Sequence, residues 1–257
     1  MAHFIERRND QRERIFAVRV VAGLVAGAGF LGFTALIIFG AAPGVGFVPA
    51  LILLLVAGAA LAVLRHTERA AAGARGESIA LRTATQLPPD FTVFNNVLVP
   101  GRAGGRPREL DLVAVGPQCV FVLEVKHFKG EIIGQRNAAQ WKLRKVGRGG
   151  TVYYSTVSNP LRQVAGASAA LASYLKSQGV RSWVQGVVCF TRSYPPAPIA
   201  PGADSILVTA PETLRGLLEN WKPARDGHDA NAAADALQLL MAPPWVNQAL
   251  RSRPDLR

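Results

Sequence analysis

The chain has 257 residues, with 29 Lys+Arg against 17 Asp+Glu for a net charge of +12, and only two cysteines and four histidines. That length is enough to bury a core, while two cysteines without CxxC spacing and so few histidines argue against a zinc site and a disulfide framework. Residues 65–257 hold 24 of the bases and 14 of the acids, so the positive excess sits there and favours a polyanionic partner, nucleic acid or an anionic lipid surface, the alternative being an arginine-rich composition with no partner.

Residues 1–19 are a basic segment containing Arg7, Arg8, Arg12, Arg14 and Arg19. Residues 20–39 carry no charge and are about as long as a bilayer core requires; residues 45–64 form a second such stretch. Between them, Gly40-Ala41-Ala42-Pro43-Gly44 leaves room only for a tight turn. The pair predicts a transmembrane hairpin over 20–64. A cleavable signal peptide is the competing reading, but the first apolar stretch is too long and a second span follows at once. Basic residues precede the first span and follow the second (Arg65, Arg69, Arg75), whereas the turn has none. This bias predicts an inner-membrane protein with two spans and both termini cytoplasmic. Gly23 and Gly27 make a GxxxG match, a spacing that packs helices closely.

After residue 65 the pattern becomes that of a folded domain. Residues 66–87 have helical spacing and stop before Pro88-Pro89, 91–98 are strand-like, and 100–107 form a basic Gly/Pro loop. Two strands follow at 110–115 and 119–125. Short strands are expected at 131–133, 140–144 and 151–154, with a basic turn at 145–150. Pro160 opens an amphipathic helix to about 177. Val184–Phe190 is an apolar run suited to a buried central strand. A strand at 205–208 and helices at 211–220 and 229–241 complete the order. This is an α/β chain with a mixed sheet flanked by helices.

The chemistry gathers on the two strands after the loop. Asp111 lies early on one, and Glu124-Val125-Lys126 ends the next. Alternation puts Glu124 and Lys126 on one face, with Val125 turned away. Two carboxylates can hold Mg²⁺ while it keeps several waters, and the Val125 carbonyl is a natural third oxygen. Lys126 would orient or help deprotonate an attacking water, or stabilise charge on a phosphate. Singly, each residue reads as well as a strand-end charge or a surface ion pair of little energetic consequence; the combination at this spacing favours a site.

Asp111, twelve intervening residues and Glu124-Val125-Lys126 resemble the motif of the PD-(D/E)xK nuclease superfamily. Within it the chain resembles the NERD, or nuclease-related, domain. The matching blocks are Gly76-Glu77 at a helix start, Glu109–Gly116, Val122–Lys126 with Gly130, Trp141, Asn159-Pro160-Leu161-Arg162-Gln163, and the strand Val184–Phe190. One departure is Glu109 where the superfamily pattern has proline two residues before the Asp.

The resemblance implies a restriction-endonuclease-like α-β-β-β-α-β core at about 75–194. It lies within a domain spanning 65–220, followed by a C-terminal helix and basic tail at 221–257. It implies Mg²⁺, with Mn²⁺ as an alternative, held by Asp111, Glu124 and Val125, and Lys126 at the attacking water. Glu77 would be an accessory acid, its alternative being a charge that complements a helix N-terminus. Gln163 would reach the site or substrate, its alternative being a helix-surface residue. Arg102, Arg106, Arg108, Lys129, Arg136, Lys142, Arg144, Lys145 and Arg148 cluster around these elements. They suit a DNA backbone without sequence readout, or anionic lipid headgroups.

The expected function is membrane-anchored, metal-dependent hydrolysis of DNA phosphodiesters. One rival is a nuclease-fold module that binds nucleic acid or a protein partner with little or no turnover. Another is an assembly protein whose basic surface meets lipid. Serine-hydrolase and Walker-type motifs are lacking, and His228-Asp229 reads as a helix N-cap.

Overall fold

The computed structural model describes residues 1–6, 10–39, 47–101, 105–147, 149–192, 206–223 and 227–241. The predicted turn at 40–44, Arg7, Arg8, Arg102, Arg148 and the basic tail from 242 onward lie outside the described residues. In chain order the elements are β1 (His3–Ile5), α1 (Asp10–Phe39), α2 (Phe47–Ala84), β2 (Thr92–Val99), β3 (Arg108–Val115), β4 (Val120–Lys126), β5 (Glu131–Ile133), β6 (Gln140–Val146), β7 (Val152–Ser158), α3 (Pro160–Ser177), β8 (Val184–Phe190), β9 (Leu207–Thr209), α4 (Pro211–Asn220) and α5 (Ala230–Met241). Residues 9–74 form one compact unit, and residues 1–8 with 75–257 form the other.

In the first unit, α1 and α2 are long and apolar enough to cross a membrane, over Glu13–Ile38 and from Val48 onward. Large side chains such as Leu24, Leu31, Ile38 and Leu55 point outward, while Ala22, Ala57 and Ala60 are buried between the helices. A core helix of a soluble protein would show the reverse. Close approach falls at Gly29 and Gly32, where an added Cβ would press on Leu53 and Ala57. Gly23 and Gly27 meet nothing, so the GxxxG match does not pack this pair. Arg19 donates to the Leu64 carbonyl and the Thr67 hydroxyl, each at 3.1 Å, clamping one end of the hairpin.

The sequence predicted a break after residue 64, yet α2 runs unbroken to Ala84. Neither proline nor glycine occurs between Ala59 and Ala72, so nothing ends the helix where its exterior turns from apolar to charged. Gly76 and Glu77 consequently lie deep inside a helix. The expectation of a helix start there is corrected, and with it the reading of Glu77 as a charge complementing a helix N-terminus.

The second unit is a six-stranded mixed sheet, ordered β1-β2-β3-β4-β8-β9, with a separate antiparallel sheet β5-β6-β7. Strand β3 runs antiparallel to both β2 and β4, whereas β4, β8 and β9 are mutually parallel. The mixed sheet flanked by helices is therefore present. Strand β1 pairs parallel with β2 and was not foreseen, because three residues carry no usable alternation. One face of the large sheet packs on α3, α5 and the small sheet through Leu161, Val164, Leu171, Leu237 and Trp141. The other packs on the end of α2 and on α4 through Ala80, Ala84, Leu214 and Leu218.

One irregularity in the sheet bears on the site. The β2–β3 ladder keeps its register but skips the pair between Asn95↔Leu112 and Val97↔Leu110. The skipped residues, Asn96 and Asp111, face each other. Asn96 has φ +49, the left-handed region that asparagine tolerates better than most residues. Across this kink the alternation slips: Phe94 and Val97 join the same core cluster, as do Leu110 and Val113. Asp111 therefore sits where the hairpin bends.

A carboxylate pair and a lysine at the sheet end

The β3–β4 ladder extends only from Val115↔Val120 to Leu112↔Leu123. The next residues in register would be Asp111 and Glu124, and there the strands part. In place of a ladder bond, the Val125 N–H donates to the Asp111 carboxylate at 2.8 Å. The Lys126 carbonyl, by contrast, accepts from the Thr191 N–H at 3.0 Å beyond β8. Neighbouring peptide groups of a strand point to opposite edges, so the Val125 carbonyl opens toward Asp111 and the parted strands. Val125 itself is buried in the core. Glu124 and Lys126 share the opposite face and form an ion pair of 2.5 Å, their side chains 16% and 21% exposed.

The Asp111 carboxyl is pushed up to about 7. Burial is the largest cause, the Glu124 charge the second, and Glu77 adds a further upward push. The Val125 N–H and the Lys126 ammonium pull it back in part. Glu77 thus acts on Asp111 from α2, and Gly76 explains how the helix comes so near. A Cβ at residue 76 would lie 2.6 Å from the His127 Cβ and 2.9 Å from the Thr191 hydroxyl. Only glycine lets α2 cross the ends of β4 and β8 at this separation.

Gln163 lies at the same end of the sheet. Asn159 caps α3, its side chain accepting from the Leu161 N–H at 2.9 Å. The Gln163 carbonyl accepts from Arg108, three residues before Asp111, at 3.2 Å. The Gln163 Oε1 is buried without a hydrogen-bond partner among the described residues. The structure thus gathers Asp111, Glu124, Lys126 and Glu77, and puts Gln163 at their end of the sheet without a bond to them.

Sequence reading passed over His127, whose Nδ1 bonds the Thr191 hydroxyl at 2.9 Å and latches the ends of β4 and β8. Burial together with Arg192 and Arg75 holds its pKa below the ordinary value. Its signal was adjacency to Lys126, but a histidine with no partner nearby in sequence gave no reason to single it out. The basic cluster needs one correction. Arg136 donates to the Ile206 carbonyl at 2.9 Å and is half-buried, so it braces the fold. Arg106, Arg108, Lys129 and Lys142 are exposed. His228 bridges the Ser182 hydroxyl and the Gly116 carbonyl, each at 2.8 Å, and the cap of α5 is Asp229. Both cysteines are free and buried, their thiols pushed up to about 12.

Among the described residues no three His, Cys, Asp or Glu side chains stand close enough to hold a metal alone. What the site offers a hard cation is two adjacent carboxylates that repel each other, plus a strand carbonyl. That donor set suits an ion keeping much of its water.

The family model of the nuclease-related domain, NERD, matches residues 72–191. No curated protein and no solved structure matches the chain. The matched span begins in the sheet-facing end of α2 and closes at Thr191, enclosing Glu77, Asp111, Glu124, Lys126 and Gln163. The chain therefore carries a nuclease-related domain over residues 72–191, together with two N-terminal helices long and apolar enough to span a membrane.

Proposed function

We propose that this protein is a membrane-anchored nuclease that hydrolyses DNA phosphodiester bonds with Mg²⁺ or Mn²⁺. The observation that carries the reading is Asp111. Its carboxyl is buried beside a second acid, at the one place where β3 and β4 part, with an ammonium within reach of that second acid. Leaving two like charges together in a partly buried site is costly, and a divalent cation relieves the cost. Asp111, Glu124 and the Val125 carbonyl would hold that ion. When bound, it would polarise a phosphate oxygen and lower the pKa of a coordinated water.

The chain's own groups do the rest. Lys126 has three ammonium protons, one of them engaged by Glu124, so the others are available to a water or a phosphate oxygen. Glu77 adds negative charge from the α2 side that would favour the cation. Gln163 has a buried acceptor, unpaired among the described residues, for a water or a substrate donor. The helices α1 and α2 would anchor the protein in the inner membrane with both termini cytoplasmic.

The test is cleavage of plasmid and linear DNA by the full chain in detergent, with Mg²⁺, with Mn²⁺ and with chelator. Metal-dependent cutting that falls at least a hundredfold in Asp111→Ala and Lys126→Ala supports the reading, since electrostatic groups of this kind are worth roughly that much. A folded wild-type protein that binds DNA but cuts with neither metal overturns it in favour of a binding module.

A further inference from the structure

The small sheet β5-β6-β7 has one face buried and one free. Trp141 and Leu143 of β6 and Ile132 of β5 enter the core, and the Trp141 ring stacks on Phe190 at 6.4 Å. Alternation then sends Lys142 and Arg144 outward, and their cross-strand neighbours are Thr156 and Tyr154. Tyr154 is 59% exposed. Arg144 lies in register between Tyr154 on β7 and Glu131 on β5, and its guanidinium pairs with the Glu131 carboxylate at 3.3 Å. Gln140 and Ser158 continue the polar row.

We infer that the outward face of this sheet is a binding platform for single-stranded DNA serving the carboxylate site. The inference rests on the nuclease reading for its choice of DNA. Both ends of the sheet are tied to the site. β5 begins five residues after Lys126, and β7 ends at Ser158, immediately before the cap of the helix that carries Gln163. Gly130, at φ +122, makes the turn between Lys126 and β5; any Cβ there would strike the Arg144 carbonyl.

The chemistry on the face selects the partner. Lys142 neutralises a phosphate, and Arg144, already paired with Glu131, presents its remaining N–H donors two residues along the same strand face. An exposed tyrosine ring on a flat sheet offers a stacking surface that any unpaired base can use. A duplex hides its base faces and would leave Tyr154 idle. Exposed Val146 and Val152 at the hairpin tip favour a lipid surface instead, but the row from Gln140 to Arg144 and from Ser158 to Tyr154 is polar throughout.

The experiment is fluorescence anisotropy with the full chain in detergent and excess chelator, so that binding is read independently of cleavage. The probes are labelled oligo-dT of about 20 nucleotides, the same length of oligo-U, and a duplex of equal length. Tyr154→Ala should weaken dT binding roughly tenfold, with Tyr154→Phe close to wild type, because the ring and not the hydroxyl stacks. Lys142→Ala should lower the salt slope by about 0.7, the value for one single-strand phosphate. Overturning results are Tyr154→Ala within about twofold of wild type on dT, duplex bound as tightly as dT by the wild type, or tighter binding of oligo-U. Flotation on anionic vesicles that fails in Tyr154→Ala while dT binding survives would give the face to lipid and also overturn the inference. Loss of cleavage in the assay above, with dT binding intact, would sink the nuclease reading and leave the platform standing.

Discussion

Burial and the neighbouring Glu124 raise the Asp111 carboxyl to about 7, so stability and the proposed metal binding would depend on the same proton. A carboxyl raised in the folded state is favoured by folding when protonated. Its contribution is therefore complete below about pH 4 and is lost as pH rises through about 7. Asp111→Asn keeps the shape without the charge. It should raise the melting temperature of metal-free protein at pH 8 and change it little at pH 4. Each pKa unit corresponds to about 1.4 kcal/mol, so the gain at pH 8 should not exceed about 4 kcal/mol. Thermal melts at the two pH values read this directly. A variant less stable than wild type at pH 8 contradicts the picture of a buried charge that Val125 and Lys126 compensate only in part.

Gly76 and Trp141 set where whole elements lie. In an exposed helix interior, glycine to alanine stabilises by up to about 1 kcal/mol. Gly76→Ala should do the opposite and cost about 1–3 kcal/mol, because the new methyl meets His127 and Thr191 at less than contact distance. The same change should push α2 and Glu77 off the site, reducing cleavage even in protein that remains folded. Chemical denaturation and a cleavage rate distinguish the two effects. Trp141 anchors the small sheet through its buried ring and through its indole N–H, which donates to the Gln135 carbonyl at 2.9 Å. Trp141→Ala should cost about 3–5 kcal/mol.

At the scale of the molecule, the sequence carried the parts that have a period. The alternating strands on either side of Asp111 and Glu124, the amphipathic α3 and the apolar β8 all fall within a residue or two of expectation, and each apolar stretch lies within a helix that runs well beyond it. The facing of Glu124 and Lys126 followed from alternation alone. What escaped was non-local. The continuity of α2 was lost because a change from lipid-like to charged exterior looks like a boundary. The kink at Asn96 was lost because a left-handed asparagine has no sequence signature of its own. The bracing role of Arg136 depends on Ile206, seventy residues away. β7 reached Ser158, past the expected end at 154, because β6 pairs with it along its whole length. For the membrane arrangement, both native thiols are buried and their pKa values lie near 12, so they should resist maleimide. Under the proposed orientation Ala42→Cys, between the two apolar stretches in sequence, should label with an impermeant maleimide from the outer side of intact spheroplasts. Labelling only after lysis would reverse the proposed orientation.

The account turns on Asp111 and Glu124 holding a divalent cation together, and a Mn²⁺ titration of the full chain, followed by calorimetry, tests it most directly. At pH 8 the wild type should bind one ion, with affinity falling about tenfold per pH unit below 7 as the proton competes for Asp111. Asp111→Asn and Glu124→Gln should each abolish that site. Unchanged binding in either variant, or affinity independent of pH between 5 and 8, would contradict the account.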